Sequence, residues 1–121
     1  MRAIAFFASA LLTICSAPAQ SRCLVPLIAT LENQTVQAAI FADSGRRCSI
    51  RMKSSAGPTE GVRIVATPHN GTVSTSGHLV SYISKKGYQG EDKFTYARYG
   101  LDRLNKPAVR TVEITVKVTA P

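Results

Sequence analysis

Acidic residues are scarce in this chain of 121 residues: Asp and Glu total 7 against 15 Lys and Arg, a formal net charge of +8. So few carboxylates exclude the chemistries that gather them. Calcium takes about six to eight oxygen ligands, and the candidate loops offer only Asp43 and the Glu91–Asp92 pair. Glycoside hydrolysis needs two acids facing one cleft, whereas neighbours such as Glu91 and Asp92 point to opposite faces of a strand. Cysteine is equally sparse. Cys15, Cys23 and Cys48 form no CxxC pair, which argues against zinc. The two histidines, His69 and His78, flank a short predicted hairpin and are too few for a metal site. Ser74, Ser76 and His78 are residue types of a hydrolase, but no nucleophile elbow accompanies them. We therefore expect no catalytic residue, no cofactor and no metal.

Long apolar runs are missing too, with one exception at the start. Ala3 to Ile14 carries no charge and follows the basic Met1-Arg2. It is shorter than the roughly 20 residues a membrane span needs, and Ala17-Pro18-Ala19 supplies the small residues a signal peptidase reads. We expect residues 1–19 to be a cleaved signal peptide and 20–121 to be one soluble domain, periplasmic or secreted, with no membrane span. Cys15 suggests a lipoprotein, but Ile14 stands where a small residue belongs. The exported chain would keep Cys23 and Cys48, and an even count in an oxidising compartment implies a disulfide rather than two buried thiols. Closing that loop would contribute about 3.5 kcal/mol.

Without Arg2 the exported chain holds fourteen basic residues against seven acids, +7. The basic residues are grouped: Arg46, Arg47, Arg51 and Lys53, then Lys85, Lys86 and Lys93, then Arg98, Arg103, Lys106 and Arg110. Such a field either solubilises or attracts anions such as envelope polysaccharide and lipid headgroups. Nucleic acid is not an expected partner.

Helical periodicity is absent after Ala19. Apolar residues alternate in short runs between Gly, Pro, Asn and Ser clusters, the all-β pattern. Arg22 to Leu27 reads as a first strand, at an edge because Pro26 cannot donate to a ladder. In Thr35 to Phe41, Val36, Ala38 and Ile40 share a face, with a short helix as the alternative. Cys48, Ile50 and Met52 face inward, with Ser49, Arg51 and Lys53 outward. Ser54 to Gly61 is a predicted loop and Val62 to Thr67 a strand. Asn70-Gly71 is the strongest hairpin signal. Strands follow at Leu79 to Ile83 and Asp92 to Tyr99. In the last, Val112, Ile114, Val116 and Val118 face inward, and Val109 falls out of register, so a bulge is expected near Arg110. Seven or eight short strands imply a sandwich, with a small barrel as the alternative.

Pro68, Asn70-Gly71-Thr72-Val73, Tyr82, Gly87-Tyr88, Gly90, Asp92, Phe94 and Tyr96 together form a pattern. It resembles that of the bacterial Ig-like, cadherin-like modules found in tandem within secreted adhesins, and Leu31-Glu32-Asn33 resembles their entry. The resemblance implies an Ig-like antiparallel β-sandwich of about seven strands. It departs at Ser84, where those modules carry proline, and it occurs once, so calcium-stiffened adhesion does not transfer. In immunoglobulin sandwiches an aspartate and a tyrosine four residues apart mark a corner, and the tyrosine hydroxyl bonds back to the backbone. Asp92 and Tyr96 have that spacing, and the usual cysteine would fall at Arg98. We expect Gly87, Gly90, Asp92, Phe94 and Tyr96 to be this structural corner. The expected binding surface lies beside it, at Lys85, Lys86, Tyr88, Arg98 and Arg103. The expected function is non-enzymatic recognition of an anionic polysaccharide or a protein partner of the cell envelope. The alternative is a structural subunit of an adhesin or secretion assembly acting through an edge strand.

Overall fold

The computed structural model describes residues 22–52 and 59–121. The expected signal peptide, and Lys53 with most of the predicted loop after it, lie outside the described residues. Eight strands run in the order β1 (Cys23–Leu24), β2 (Thr35–Asp43), β3 (Arg47–Arg51), β4 (Thr59–Ala66), β5 (Gly71–Ser76), β6 (Leu79–Ser84), β7 (Gly90–Leu101) and β8 (Pro107–Thr119). No helix occurs among the described residues, so none is long and apolar enough to cross a membrane.

The strands form two sheets, β1-β2-β8-β7-β4 and β3-β6-β5. Between them lies a core contributed by both sheets, including Ile40, Ile50, Val80, Phe94, Val112 and Ile114. This is the expected sandwich in its coarse form. The purely antiparallel arrangement is corrected: β2 runs parallel to β8 over nine residue pairs, from Thr35↔Thr111 to Asp43↔Thr119. The reason lies in the crossings. The chain passes from one sheet to the other after β2, β3, β4 and β6, so β2 and β8 meet far apart in sequence and running the same way. Outward-facing side chains then match across the parallel seam. Gln37 Nε2 donates to Glu113 Oε2 at 3.2 Å, and the Lys117 ammonium sits 5.6 Å from the Phe41 ring centre.

Alternation sets the faces as expected in β2, β3 and β8, where Ile40, Cys48, Ile50, Val112, Ile114, Val116 and Val118 point inward. The bulge expected near Arg110 does not form. The β7–β8 register is continuous from Gly90↔Val118 to Leu101↔Pro107. Arg110 keeps the parity of Val112 and turns inward, 2% exposed, and Val109 turns out. The register shifts lie instead in β4, between Thr59 and Gly61 and between Ile64 and Ala66. β4 also starts earlier than expected, at Thr59.

Asn70-Gly71 is not a hairpin either. It carries the chain from β4 in the larger sheet to β5 in the smaller. The hairpin is at Gly77-His78, where Ser76 pairs with Leu79. Gly77 has φ +57°, suiting the first position of a two-residue loop. Gly71 has a different role. A Cβ there would stand 2.5 Å from the Ile83 carbonyl oxygen and 2.8 Å from the Tyr82 ring. Gly71→Ala is therefore expected to destabilise the fold by about 2 kcal/mol through overpacking, read as a lower urea midpoint at constant slope. An unchanged midpoint would show that the β5–β6 backbone and the ring both shift to make room.

The expected disulfide is present. Cys23 and Cys48 are bonded, with Cα atoms 5.3 Å apart. It joins β1, at one edge of the larger sheet, to β3, at one edge of the smaller. The staple thus closes one flank of the sandwich.

Candidate functional site

The expected corner is built around Asp92, 4% exposed. Its Oδ1 accepts from the backbone N–H of His69 (3.0 Å) and of Lys93 (3.0 Å). Its Oδ2 accepts from the N–H of Asn70 (3.1 Å) and from the Tyr82 hydroxyl (2.8 Å). Two donors on each oxygen occupy the acceptor sites a carboxylate has. Asp92 therefore ties β7 to the β4–β5 crossover and to β6 in the opposite sheet. The hydroxyl that reaches it is that of Tyr82, ten residues earlier in the chain. Phe94 and Tyr96, each 1% exposed, are core residues. Phe94 stacks on Tyr82 across the sheets with ring centres 5.8 Å apart. Gly87 (φ +88°) and Gly90 (φ +133°) supply the turn into β7. His69, Asn70, Tyr82 and Asp92, scattered along the sequence, thus belong to one joint. Its work is structural.

Burial raises the pKa of both tyrosines and so resists their ionisation. Desolvation, and then the hydrogen bond to Asp92, pushes Tyr82 far above the ordinary phenol value of 10.0, and desolvation pushes Tyr96 up to about 12. A raised folded value favours the neutral phenol. The stabilisation is complete below pH 10 and is lost as pH rises through the folded values. The protein is expected to keep its stability up to about pH 10 and to lose on the order of 3 kcal/mol between pH 10 and 12. A urea-midpoint series across that range, with phenolate absorbance followed in parallel, checks it. Tyrosines that ionise freely at pH 10 without unfolding would contradict it.

The expected binding surface does not come together. Lys85 and Lys86 lie in the β6–β7 turn with Tyr88 just after it, while Arg103 is in the β7–β8 turn. β7 separates these turns by roughly 37 Å. Arg98 is not on the surface at all. It is 5% exposed, because it shares the inward parity of Asp92, Phe94 and Tyr96. Tyr88 packs partly against the core, and its hydroxyl donates to the Glu91 carbonyl at 2.6 Å. His69 and His78 also separate, to opposite ends of β5.

Each half of the expected surface acquires other basic residues instead. At the first end, the turn after β2 packs against the turn after β6. The Gly45 N–H donates to Ser84 Oγ at 2.9 Å, and Gly45 approaches Lys86 so closely that a Cβ would lie 3.4 Å from the Lys86 Cα. Lys85 N–H donates to the Asn70 carbonyl, and Ser44 N–H to that of Thr119. The two turns and the first residue of β3 carry Arg46, Arg47, Lys85 and Lys86, all exposed.

At the second end, Arg98 and Arg110 are directly opposite across β7 and β8. Burial, and then the nearby Arg110 charge, lowers the Arg98 pKa below the ordinary arginine value. Arg110 Nη2 bonds Glu32 Oε1 at 3.2 Å. A cavity of about 600 Å³ opens there between the sheets, lined by Val25, Ile28, Ile50, Met52, Tyr96 and Arg98 among others. A smaller cavity of about 440 Å³, with Thr30 common to both, reaches Glu32, Arg103 and Arg110. Sequence reasoning missed this arginine pair because it put Arg98 on the surface and expected a bulge near Arg110. Strand parity, carried one step further in β7 and β8, was the signal available.

No family model, no curated protein and no solved structure matches the chain.

Proposed function

We propose that the protein is an exported, non-enzymatic binding module, Ig-like in kind, that recognises an anionic component of the cell envelope. The observation that carries this reading is the contact between the turns after β2 and β6. It holds Arg46, Arg47, Lys85 and Lys86 on one end of the sandwich. A cationic cluster on a preorganised backbone attracts a repeating polyanion without having to order a loop first. The disulfide and the leader-like start of the sequence support an oxidising, exported setting. Asp92, the acid of the motif, is saturated by four donors and serves the fold, which supports binding over catalysis.

Retention on an immobilised acidic polysaccharide such as polygalacturonate, eluted by a salt gradient, tests the proposal. Retention at low salt should weaken as ionic strength rises. Lys85→Ala with Lys86→Ala should weaken it by about tenfold or more, at roughly 1 kcal/mol per cation near an anionic surface. Passage straight through the column at low salt would end the proposal.

A second reading is favoured by β5. It is an edge strand of six residues, Gly71–Ser76, without charge or proline. Such an edge is open to an added strand. Salt-insensitive self-association or co-purification would favour this structural role, and a strict monomer without such a partner would count against it.

A further inference from the structure

We infer that the larger cavity, between the sheets at the end opposite the Lys85–Lys86 turn, is a binding site for a single amphiphilic anion. The ligand is an apolar chain or ring body ending in a carboxylate, phosphate or sulfate. This site is separate from the basic turns of the polyanion proposal, and either can fail alone.

The shape of the cavity follows from how the chain leaves β1. The strand lasts two residues and pairs with Phe41 and Ala42 of β2. Pro26 then removes a donor, and residues 25–31 run on without strand structure. The disulfide draws this segment against β3 at Cys48. Beyond that staple the segment and β3 line the two sides of an opening. The sheets are therefore closed at one point of the flank and parted past it.

Its lining divides by chemistry. Val25, Ile28, Ile50, Met52 and Tyr96 form an apolar wall, and Arg98 and Arg51 are the basic residues of the lining. Arg98 is held in place by burial, at 5% exposure, while Arg51 is exposed on β3. A fixed guanidinium in a partly apolar cavity binds an oxyanion with charge-assisted hydrogen bonds stronger than neutral ones. The volume of about 600 Å³ falls within the range that encloses small organic ligands, mostly apolar with a few placed polar groups. The mouth adds a second apolar feature. Leu27 lines the opening and is 85% exposed. It leaves an apolar surface that the body of such a ligand would cover.

The chain provides its own probe. Its two methionines are Met1 and Met52, and Met52 lines the cavity. Carbon-13 methyl labelling, with Met52→Leu to assign the signal, reports on the site directly. In the oxidised protein, dodecanoate and dodecyl phosphate, added below their micellar concentrations, should shift the Met52 methyl saturably. Butyrate and inorganic phosphate should leave it in place. Arg98→Met should weaken dodecanoate binding by at least about tenfold. Leu27→Glu, at an exposed position that should not disturb folding, should weaken it several-fold and leave polygalacturonate retention unchanged. Should Arg98→Met fail to fold, the Leu27→Glu comparison still decides. An unmoved Met52 methyl at millimolar dodecanoate would overturn the inference, as would Leu27→Glu binding like the parent. An equal response to inorganic phosphate would reduce the site to a simple anion site and also overturn it. Adsorption to phosphatidylglycerol vesicles without a Met52 shift would mean docking on a membrane surface instead, again against a single-molecule site.

Discussion

Asp92→Ala is expected to cost about 4 kcal/mol, most of the stability of a domain this small. The substitution removes one carboxylate and leaves four donors, the His69, Asn70 and Lys93 amides and the Tyr82 hydroxyl. Each donor left unsatisfied away from water costs about 1–3 kcal/mol. The hydroxyl is buried, since Tyr82 is 0% exposed, and the three amides are partly buried, so their losses fall at the low end. Asp92→Asn should cost less than Ala, because one oxygen still accepts, but its amide group now faces two donors. Tyr82→Phe should cost least, about 1 kcal/mol, since it removes a donor and leaves the carboxylate its other three partners. Equilibrium unfolding in urea orders the three. If Asp92→Ala fell within 1 kcal/mol of the parent, Asp92 would not be the joint between the sheets.

Loss of the disulfide is the other large effect. Cys23 and Cys48 are separated by 25 residues, and releasing that loop is expected to destabilise the protein by about 3.5 kcal/mol. For a domain of this size that corresponds to a fall of about 20 °C in Tm. The damage should be uneven. β1 has two residues in its ladder, supplemented by the Arg22 N–H to Asp43 Oδ2 bond of 2.6 Å. The β7–β8 pair extends over twelve residue pairs. In Cys23→Ser with Cys48→Ala, hydrogen exchange should rise first over residues 22–31, while the amides of β7 and β8 stay protected. The same variant should lose dodecanoate binding if the cavity holds it, because its outer wall is that segment. Uniform loss of protection along the chain would show that the staple supports the whole sandwich and not one flank.

Legibility in the sequence followed the range of the physics involved. Alternation is local, so the inward faces of β2, β3 and β8 were readable from residues two apart. The Cys23–Cys48 bond followed from counting cysteines in a chain that looks exported. The corner glycines, Asp92, Phe94 and Tyr96 were readable as structural, since turn chemistry and strand parity act within ten residues. The same parity rule, carried to Arg98 and Arg110, gives the inward positions they occupy, but charge led Arg98 to be expected on the surface. Parity prevails because both arginines lie on strands whose neighbouring residues fill the core.

What remained hidden involves residues brought together from far apart. Whether Asn70-Gly71 closes a hairpin or crosses between sheets depends on where β4 and β5 find partners, and no local signal carries that. The same holds for the parallel β2–β8 seam and for the opposite fates of Lys86 and Arg103. By itself the sequence determined an all-β chain, the faces of its main strands and the turn that opens on Gly87. Only the tertiary structure decided what Asp92 holds, because its His69, Asn70 and Tyr82 partners lie ten or more residues away and converge only when the two sheets pack. That packing also parted the expected basic surface into two ends and left the arginine-lined cavity between the sheets.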